Sequence, residues 1–392
     1  MNTTTNEQVI RVGLVDDQNL VRTGFAMVID SQPDMQVVVE AANGKLATER
    51  LEVVPTDVVL MDIRMPVMDG LAMIRAAQEQ HVDTVFVVLS GYGDYEYTSQ
   101  AMQLGIRHYI LKPCDEAKIL PVLEQARAEA LLAKAKTPEQ RGLFELMLYP
   151  HYVKQQNAAM FMGANAKIKQ KSLQKSFIEE AANEKSLMRL AQGADASSDQ
   201  KNLALFNVLQ KSLIHQNFSL FNQAYALLPK NAAQYVYNNE TFEHYKNQPP
   251  LGNFVWKGAK VSSAIQCPDL YSLTQKLEQS PKDLKLRLCL GEYIRSEQGY
   301  SVNSLTYTEK DRSSFQGPVF ARGQVYKDII KASSDPEMKA YALYRSIMCY
   351  SPSGMNDCQD NEVATSTRKQ WYDQIKRDYP NTSWAKSLKY YW

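Results

Sequence analysis

The chain has 392 residues, 44 Lys and Arg against 43 Asp and Glu, a formal net charge of +1 and 44% hydrophobic residues. That length accommodates two or three domains with their own cores, and so balanced a charge argues neither for nor against a nucleic-acid partner. No apolar run reaches about 18 residues, so no transmembrane helix is expected. Met1 to Glu7 contain neither a basic nor an apolar segment of the kind a signal peptide needs, so no membrane partner and a cytoplasmic location are expected.

Taken in chain order, the first segment of defined character is a strand over 10–15, whose apolar run closes on Asp16 and Asp17. A helix over 19–31 and a strand over 35–41 follow, then a helix over 44–54. The next strand, 58–61, delivers Asp62 at its carboxyl end, and Arg64, Pro66, Asp69 and Gly70 follow in a loop. A helix over 70–81 precedes a strand over 85–89 that ends at Ser90. A helix over 94–104 leads to a strand over 108–111, which contains Tyr109 and is followed by Lys112 and Pro113. The last helix of the series, 115–133, carries Ile119, Val122, Leu123 and Ala126 at i, i+3, i+4 and i+7, an inward stripe. Strands with few charges alternating with amphipathic helices are the pattern of a parallel sheet covered on both faces. Five such pairs predict a flavodoxin-like, doubly wound α/β sheet with right-handed crossovers.

In such a sheet, ligands bind beyond the carboxyl ends of the strands, and Asp16, Asp17, Asp62, Ser90 and Lys112 all fall at such ends. Three clustered carboxylates repel one another unless a hard cation neutralises them, and Mg2+ suits a site of carboxylates, waters and phosphate oxygens. Asp62 then becomes a nucleophile towards phosphorus. The Lys112 ammonium supplies charge to the transferring phosphoryl group, and the Ser90 hydroxyl donates to one of its oxygens. Taken singly, each residue has a plainer reading. A lone Asp is more often a helix cap or turn residue, Asp69-Gly70 reads as a turn, and a lone Tyr109 is more often a core aromatic. The joint spacing of Asp16, Asp17, Asp62 and Lys112 outweighs those readings.

On these residues the segment from 8 to about 133 resembles the receiver domain of two-component response regulators. The resemblance implies Asp62 as the phosphoacceptor, with Asp17 and Asp62 as direct Mg2+ ligands, Asp16 acting mainly through water, and the Arg64 backbone carbonyl as a further ligand. It also implies Ser90 and Tyr109 as the switch pair, a sensor histidine kinase as partner, and a face around the fourth and fifth helices and fifth strand for dimer or output contacts. Within that resemblance, Ser90-Gly-Tyr-Gly-Asp-Tyr-Glu-Tyr is similar to receivers that precede helix-turn-helix output domains.

Beyond Lys136 the character changes. Residues 1–135 hold roughly 11 basic and 19 acidic side chains, and the remainder roughly 33 and 24, a mildly basic output region. Thr137-Pro138 predicts a helix start. Leu205, Val208, Leu209 and Leu213 form a helical stripe, 192–200 reads as a polar loop, and 245–262 reads as a connector. Domains are accordingly expected at 1–134, 135–250 and 251–392, the last two helical. Lys167, Lys169, Lys171 and Lys175 read as a solvated helix face rather than a DNA contact.

Four short stripes close the chain: Val325, Ile329 and Ile330; Ala340, Leu343, Tyr344 and Ile347; Trp371 to Ile375; and Trp384, Ala385, Leu388 and Tyr391. Turns at Pro336 and at Asp378-Tyr-Pro-Asn381 separate them. Over about 70 residues this is similar to tetratricopeptide-type helical hairpins, which stack to bury faces that no single pair can bury and which bind peptides or proteins.

Cys114 stands alone in the first segment, and Cys267, Cys289, Cys349 and Cys358 form an even set downstream. With no C-x-x-C spacing and scattered His, no zinc site is expected. Free thiols are the favoured reading. The alternative, pairing Cys267–Cys289 and Cys349–Cys358, requires an oxidising compartment, against a cytoplasmic receiver.

No nucleotide loop, metal-ligand cluster or nucleophile elbow appears in the remainder, so the expectation is a phosphoacceptor signalling protein rather than an enzyme. It would switch a helical protein-interaction output, with a homodimer formed through the receiver. A DNA-binding transcriptional regulator and a helical-repeat structural protein carrying the receiver as a passenger are the alternatives.

Overall fold

The computed structural model describes residues 9–80, 84–91, 95–193, 196–235, 249–312, 314–350 and 357–391. The first eight residues, 92–94 of the loop after Ser90, 194–195 of the polar loop, 245–248 of the connector and Trp392 lie outside the described residues. The chain divides into two compact units, Met1–Lys154 and Gln155–Trp392.

The first unit alternates strand and helix as the hydrophobic pattern predicts: β1 Ile10–Val15, α1 Asn19–Asp30, β2 Met35–Ala41, α2 Gly44–Val53, β3 Val58–Asp62, α3 Gly70–Glu79, β4 Val85–Ser90, α4 Tyr95–Gln103, β5 His108–Leu111 and α5 Glu116–Lys134. All neighbouring strands are parallel, in the order β2-β1-β3-β4-β5. This is the flavodoxin-like doubly wound sheet. Because side chains alternate across a strand, β3 serves two cores. Val59 and Met61 pack with Leu51 of α2 and Met73, Ile74 and Ala77 of α3. Val58 and Leu60 pack on the opposite face with Ile29 of α1 and Ile119, Leu123 and Ala126 of α5. Burying one such Leu or Ile contributes about 1.5–3 kcal/mol.

Helix starts are set by side-chain caps. Asn43, Asp69 and Asp115 each accept a hydrogen bond from the backbone N–H three residues on, at Leu46, Ala72 and Lys118, which satisfies donors a helix leaves open. Asp69-Gly70, read as a turn, is instead this cap and the first residue of α3. A sixth helix, α6 (Pro138–Gln155), follows α5. Its start at Thr137-Pro138 matches the expectation, with the Thr137 hydroxyl accepting from the Gln140 N–H at 3.2 Å. Nearly all of α6 lies within the first compact unit.

The second unit is mainly helical: α7 Lys171–Ser176, α8 Glu184–Ala191, α9 Ser198–Ile214, α10 Phe218–Tyr225, α11 Leu270–Gln279, α12 Leu284–Arg295, α13 Tyr300–Arg312, α14 Arg322–Ala332, α15 Pro336–Cys349, α16 Thr365–Asp378 and α17 Ser383–Ser387, with a two-stranded antiparallel hairpin of β6 Ala259–Lys260 and β7 Gln266–Cys267. The stripe of Leu205, Val208, Leu209 and Leu213 is fully buried in α9, and Ser197 and Gln200 close a reciprocal capping box at its start. Of the four lysines expected on one solvated helix face, Lys171 and Lys175 are exposed on α7, with Lys175 3.7 Å from Glu179, whereas Lys167 and Lys169 precede the helix in irregular chain. Residues 249–262, read as a connector, contribute Leu251, Phe254 and Trp256 to the interior. The C-terminal stripes converge: Leu343, Ile347, Ile375, Ala385 and Leu388 form one buried cluster, packed by Ile330, Tyr344, Trp371 and Trp384.

The free-thiol reading is overturned. Cys267 of β7 is bonded to Cys289 of α12, and Cys349 to Cys358, with Cα separations of 5.3 and 5.2 Å. Cys114 is a free thiol. The second bridge stands beside a buried arginine: Arg322, only 1% exposed, donates to Gln359 at 3.1 Å and pairs with Asp357.

Candidate functional site

Parallel register aligns the strand ends. Val15 of β1 is level with Met61 of β3, Asp62 with Leu89 of β4, and Ser90 with Leu111 of β5. Asp16, Asp62, Ser90 and Lys112 therefore emerge at one edge, where the strand order reverses between β1 and β3, the place such sheets use for ligands. Asp16, Asp62 and Ser90 are buried and Asp17 is exposed.

The Lys112 ammonium binds two of the carboxylates at once, donating to Asp16 Oδ2 at 2.9 Å and to Asp62 Oδ2 at 2.8 Å. The backbone fixes it there, since the Lys112 N–H donates to the Ser90 carbonyl at 2.7 Å. Burial lowers the pKa of Lys112, but the hydrogen bonds and charges of Asp62 and Asp16 outweigh burial and leave it raised. Lys112 stays an ammonium throughout the physiological range.

Asp16, Asp17 and Asp62 each bring a carboxylate oxygen within 4.8 Å of the others. Oxygens bound to one Mg2+ at about 2.1 Å lie at most about 4.2 Å apart, so the three carboxylates are near the spacing that a shared ion needs. Three hard oxygens of this kind fit Mg2+ far better than a soft metal. The Asp16 carboxylate is positioned by the Gln18 N–H, which donates to it at 2.8 Å. Arg64 directs its N–H towards Asp62 Oδ1 at 3.4 Å.

The remaining expected residues frame the cluster. Ser90 ends β4 and is 6% exposed. Tyr109 sits one strand away on β5, half-buried, its hydroxyl donating to the Ile106 carbonyl at 2.9 Å. Burial pushes that hydroxyl up to about 12. Two features carry no local sequence signal. The Arg64 guanidinium lies 5.1 Å from the centre of the Tyr97 ring on α4, a cation–π distance, and Arg22 donates to the Asp16 carbonyl at 2.6 Å.

A family profile described as the response regulator receiver domain matches residues 12–124. The uncharacterized transcriptional regulatory protein YesN of Bacillus subtilis is 36% identical over 120 residues, 30% of this chain and 33% of that protein. The nitrate/nitrite response regulator NarL of Escherichia coli is 34% identical over 135 residues, 34% of this chain and 62% of that protein. Among solved structures, the receiver domain of AraT, a response regulator from Geobacillus stearothermophilus, is 31% identical and covers 33% of this chain and all of that one, with a TM-score of 0.31. The chain thus spans about a third of the length of one of these curated relatives and about three fifths of the other. Among the described residues no helix is long and apolar enough to cross a membrane.

Proposed function

Because residues 12–124 form a response regulator receiver domain, we propose that the chain is a two-component response regulator that accepts a phosphoryl group on Asp62 from a sensor histidine kinase. The observation that carries the reading is the double hydrogen bond of Lys112 to Asp16 and Asp62 beside a third carboxylate, Asp17. Asp16, Asp17 and Asp62, with the Arg64 backbone carbonyl, would hold Mg2+. When bound, Mg2+ supplies positive charge to the phosphoryl oxygens and offsets the repulsion among the carboxylates.

The chain's own residues supply the rest. An Asp62 oxygen forms a bond to phosphorus as the bond from phosphorus to the donor's leaving group breaks, and the product is an acyl phosphate. Lys112 holds the attacking carboxylate in place and neutralises charge on the transferred group. Ser90 then donates to a phosphoryl oxygen and moves inward, and the half-buried Tyr109 ring turns into the space it leaves, a rotamer switch that biases the face around β5. That face is where the receiver would form a homodimer. The helical second unit, with its closing repeat-like hairpins, is read as the output, binding a protein or peptide rather than catalysing a reaction. A sensor histidine kinase as phosphoryl donor would put the receiver's chemistry in the cytoplasm, and the two disulfides of the second unit weigh against that location.

A second reading is favoured by one observation. Both curated relatives named above are regulators, one of them described as a transcriptional regulatory protein, so the second unit as a DNA-binding output is the alternative. The phosphoacceptor reading is tested by incubating the whole chain with acetyl phosphate and Mg2+. Asp62→Asn abolishes labelling if the reading holds, and labelling that persists in that variant removes it.

A further inference from the structure

Two side chains distant in sequence meet on one carboxylate, that of Glu129, inside the first unit. His108, the first residue of β5, places Nε2 3.2 Å from Glu129 Oε2 on α5. From the last turns of α6, the Tyr152 hydroxyl donates to the other oxygen, Glu129 Oε1, at 2.7 Å. His108 is 4% exposed and Tyr152 1%, so water hardly competes for these bonds. Burial pulls the Glu129 carboxyl upward, but contact with His108 and the Tyr152 hydroxyl outweighs burial and holds it at about 2. A buried carboxylate shared in this way fixes both of its partners, because either one left alone would strand a buried charge or a buried donor.

The strand that carries His108 is also the strand of the switch residue. Tyr109 is next in the chain, and its hydroxyl donates to the carbonyl of Ile106, two residues before β5 begins. Tyr109 and Lys112 also line a cavity of about 550 Å3 together with Lys154 from the end of α6. The end of α6 thus stands next to β5 by two independent observations. Through Gln155 it is covalently continuous with the second unit.

We propose that the Tyr152–Glu129–His108 chain is a latch that ties the last turns of α6 to β5, and that phosphorylation of Asp62 loosens it. This rests on the phosphoacceptor reading above and extends it to the route by which the signal leaves the receiver. For the Tyr109 ring to turn towards Ser90, its hydroxyl must leave the Ile106 carbonyl. The start of β5 then loses the bond that ties it to Ile106, His108 shifts with its neighbour, Glu129 loses its fixed partner on β5, and the Tyr152 end of α6 is no longer anchored to a rigid group.

Amide hydrogen exchange on the whole chain, with and without beryllofluoride and Mg2+ as the phosphoryl analogue, tests this. The latch predicts that amides of residues 148–153 exchange about tenfold faster once the analogue is added, the size expected from losing one charge-assisted hydrogen bond. Tyr152→Phe removes a single hydroxyl. It should show the faster exchange before the analogue is added and no further change after it, with acetyl phosphate labelling of Asp62 unaltered. Glu129→Gln, which keeps the shape and removes the charge, should behave the same way. If β5 amides respond to the analogue while 148–153 do not, or if Tyr152→Phe keeps the full α6 response, the latch is wrong and the phosphoacceptor reading stands. If β5 is also silent and Asp62 takes no label, both fall together.

Discussion

A methyl group on Gly70 would stand 2.9 Å from the backbone carbonyl oxygen of Asp62, and 2.7 Å from the Met61 side chain. The first turn of α3 is therefore pressed directly against the end of β3, and the loop between them is kept short and tight around the acidic cluster. The Gly70 N–H completes the contact by donating to the Ile63 carbonyl at 3.0 Å. Gly70→Ala should destabilise the first unit by about 1–3 kcal/mol, read as a lower urea midpoint. It should also slow acetyl phosphate labelling of Asp62, because the backbone that must yield is that of the phosphoacceptor itself. A variant with unchanged stability and labelling would show that the close approach is not needed.

Much of this site is legible in the sequence, for a physical reason. Buried parallel strands read as uninterrupted apolar runs, so a carboxylate, hydroxyl or lysine that ends such a run is already placed at the sheet edge. Asp62, Ser90 and Lys112 are visible in this way, and the strand bounds follow to within a residue. The meeting of Glu129 with His108 and Tyr152 is not visible, because the three lie on separate elements and no periodicity links them. The cysteine pairs, with separations of 22 and 9 residues, are legible only as an alternative to free thiols, because an even set of cysteines does not by itself show that it is oxidised. The helices at 270–279 and 284–295 do carry a signal in Asp269 and Asp283, each of which accepts from the N–H three residues on. That signal is weak where no long apolar stripe accompanies it. Residues 249–262 mislead because Pro and Gly read as a linker even where Leu251 and Phe254 between them are core.

Replacing Lys112 separates charge from coordination. Lys112→Met removes a cation from beside Asp16 and Asp62, so Mg2+ binding should hold or strengthen while the rate of labelling by acetyl phosphate falls about a hundredfold, the usual cost of losing one group that stabilises transferring charge. Mg2+ affinity is read by isothermal titration calorimetry. Loss of Mg2+ binding together with labelling would mean that Lys112 acts only by holding the carboxylates in place and contributes no charge to the transfer.

The Glu129 carboxyl gives a pH dependence with a definite sign. Its folded value of about 2 lies below the ordinary 4.5, so the folded state binds the proton more weakly than the unfolded state. The stability this confers is present above pH 4.5 and is lost as pH falls from about 4.5 towards 2. The wild-type chain should lose on the order of 2 kcal/mol more than Glu129→Gln across that window, measured by urea unfolding at pH 6 and pH 3. Parallel losses in the two proteins would show that Glu129 is not the group responsible.

The disulfides make a count. Of five cysteines, thiol titration under denaturing, non-reducing conditions should find one, Cys114, and five after reduction. Reduction should also destabilise the second unit by roughly 2–3 kcal/mol per bridge, as expected for loops of these lengths. Five reactive thiols before reduction would restore the free-thiol reading and remove the conflict with a reducing cytoplasm.

Protein and DNA outputs separate on salt. With a protein or peptide as partner, binding of the whole chain to random duplex DNA should be weak and should change little between about 50 and 200 mM salt. A loss of about a thousandfold or more over that range would make the DNA-binding reading the better one.

The most direct test of the account is to locate the phosphoryl group. The whole chain is treated with acetyl phosphate and Mg2+, the acyl phosphate is trapped by borohydride reduction, and the proteolytic peptides are mapped by mass. The account predicts modification at Asp62, dependent on Mg2+ and absent in Asp62→Asn. Modification at another carboxylate, or none under conditions where Mg2+ binds, would contradict it.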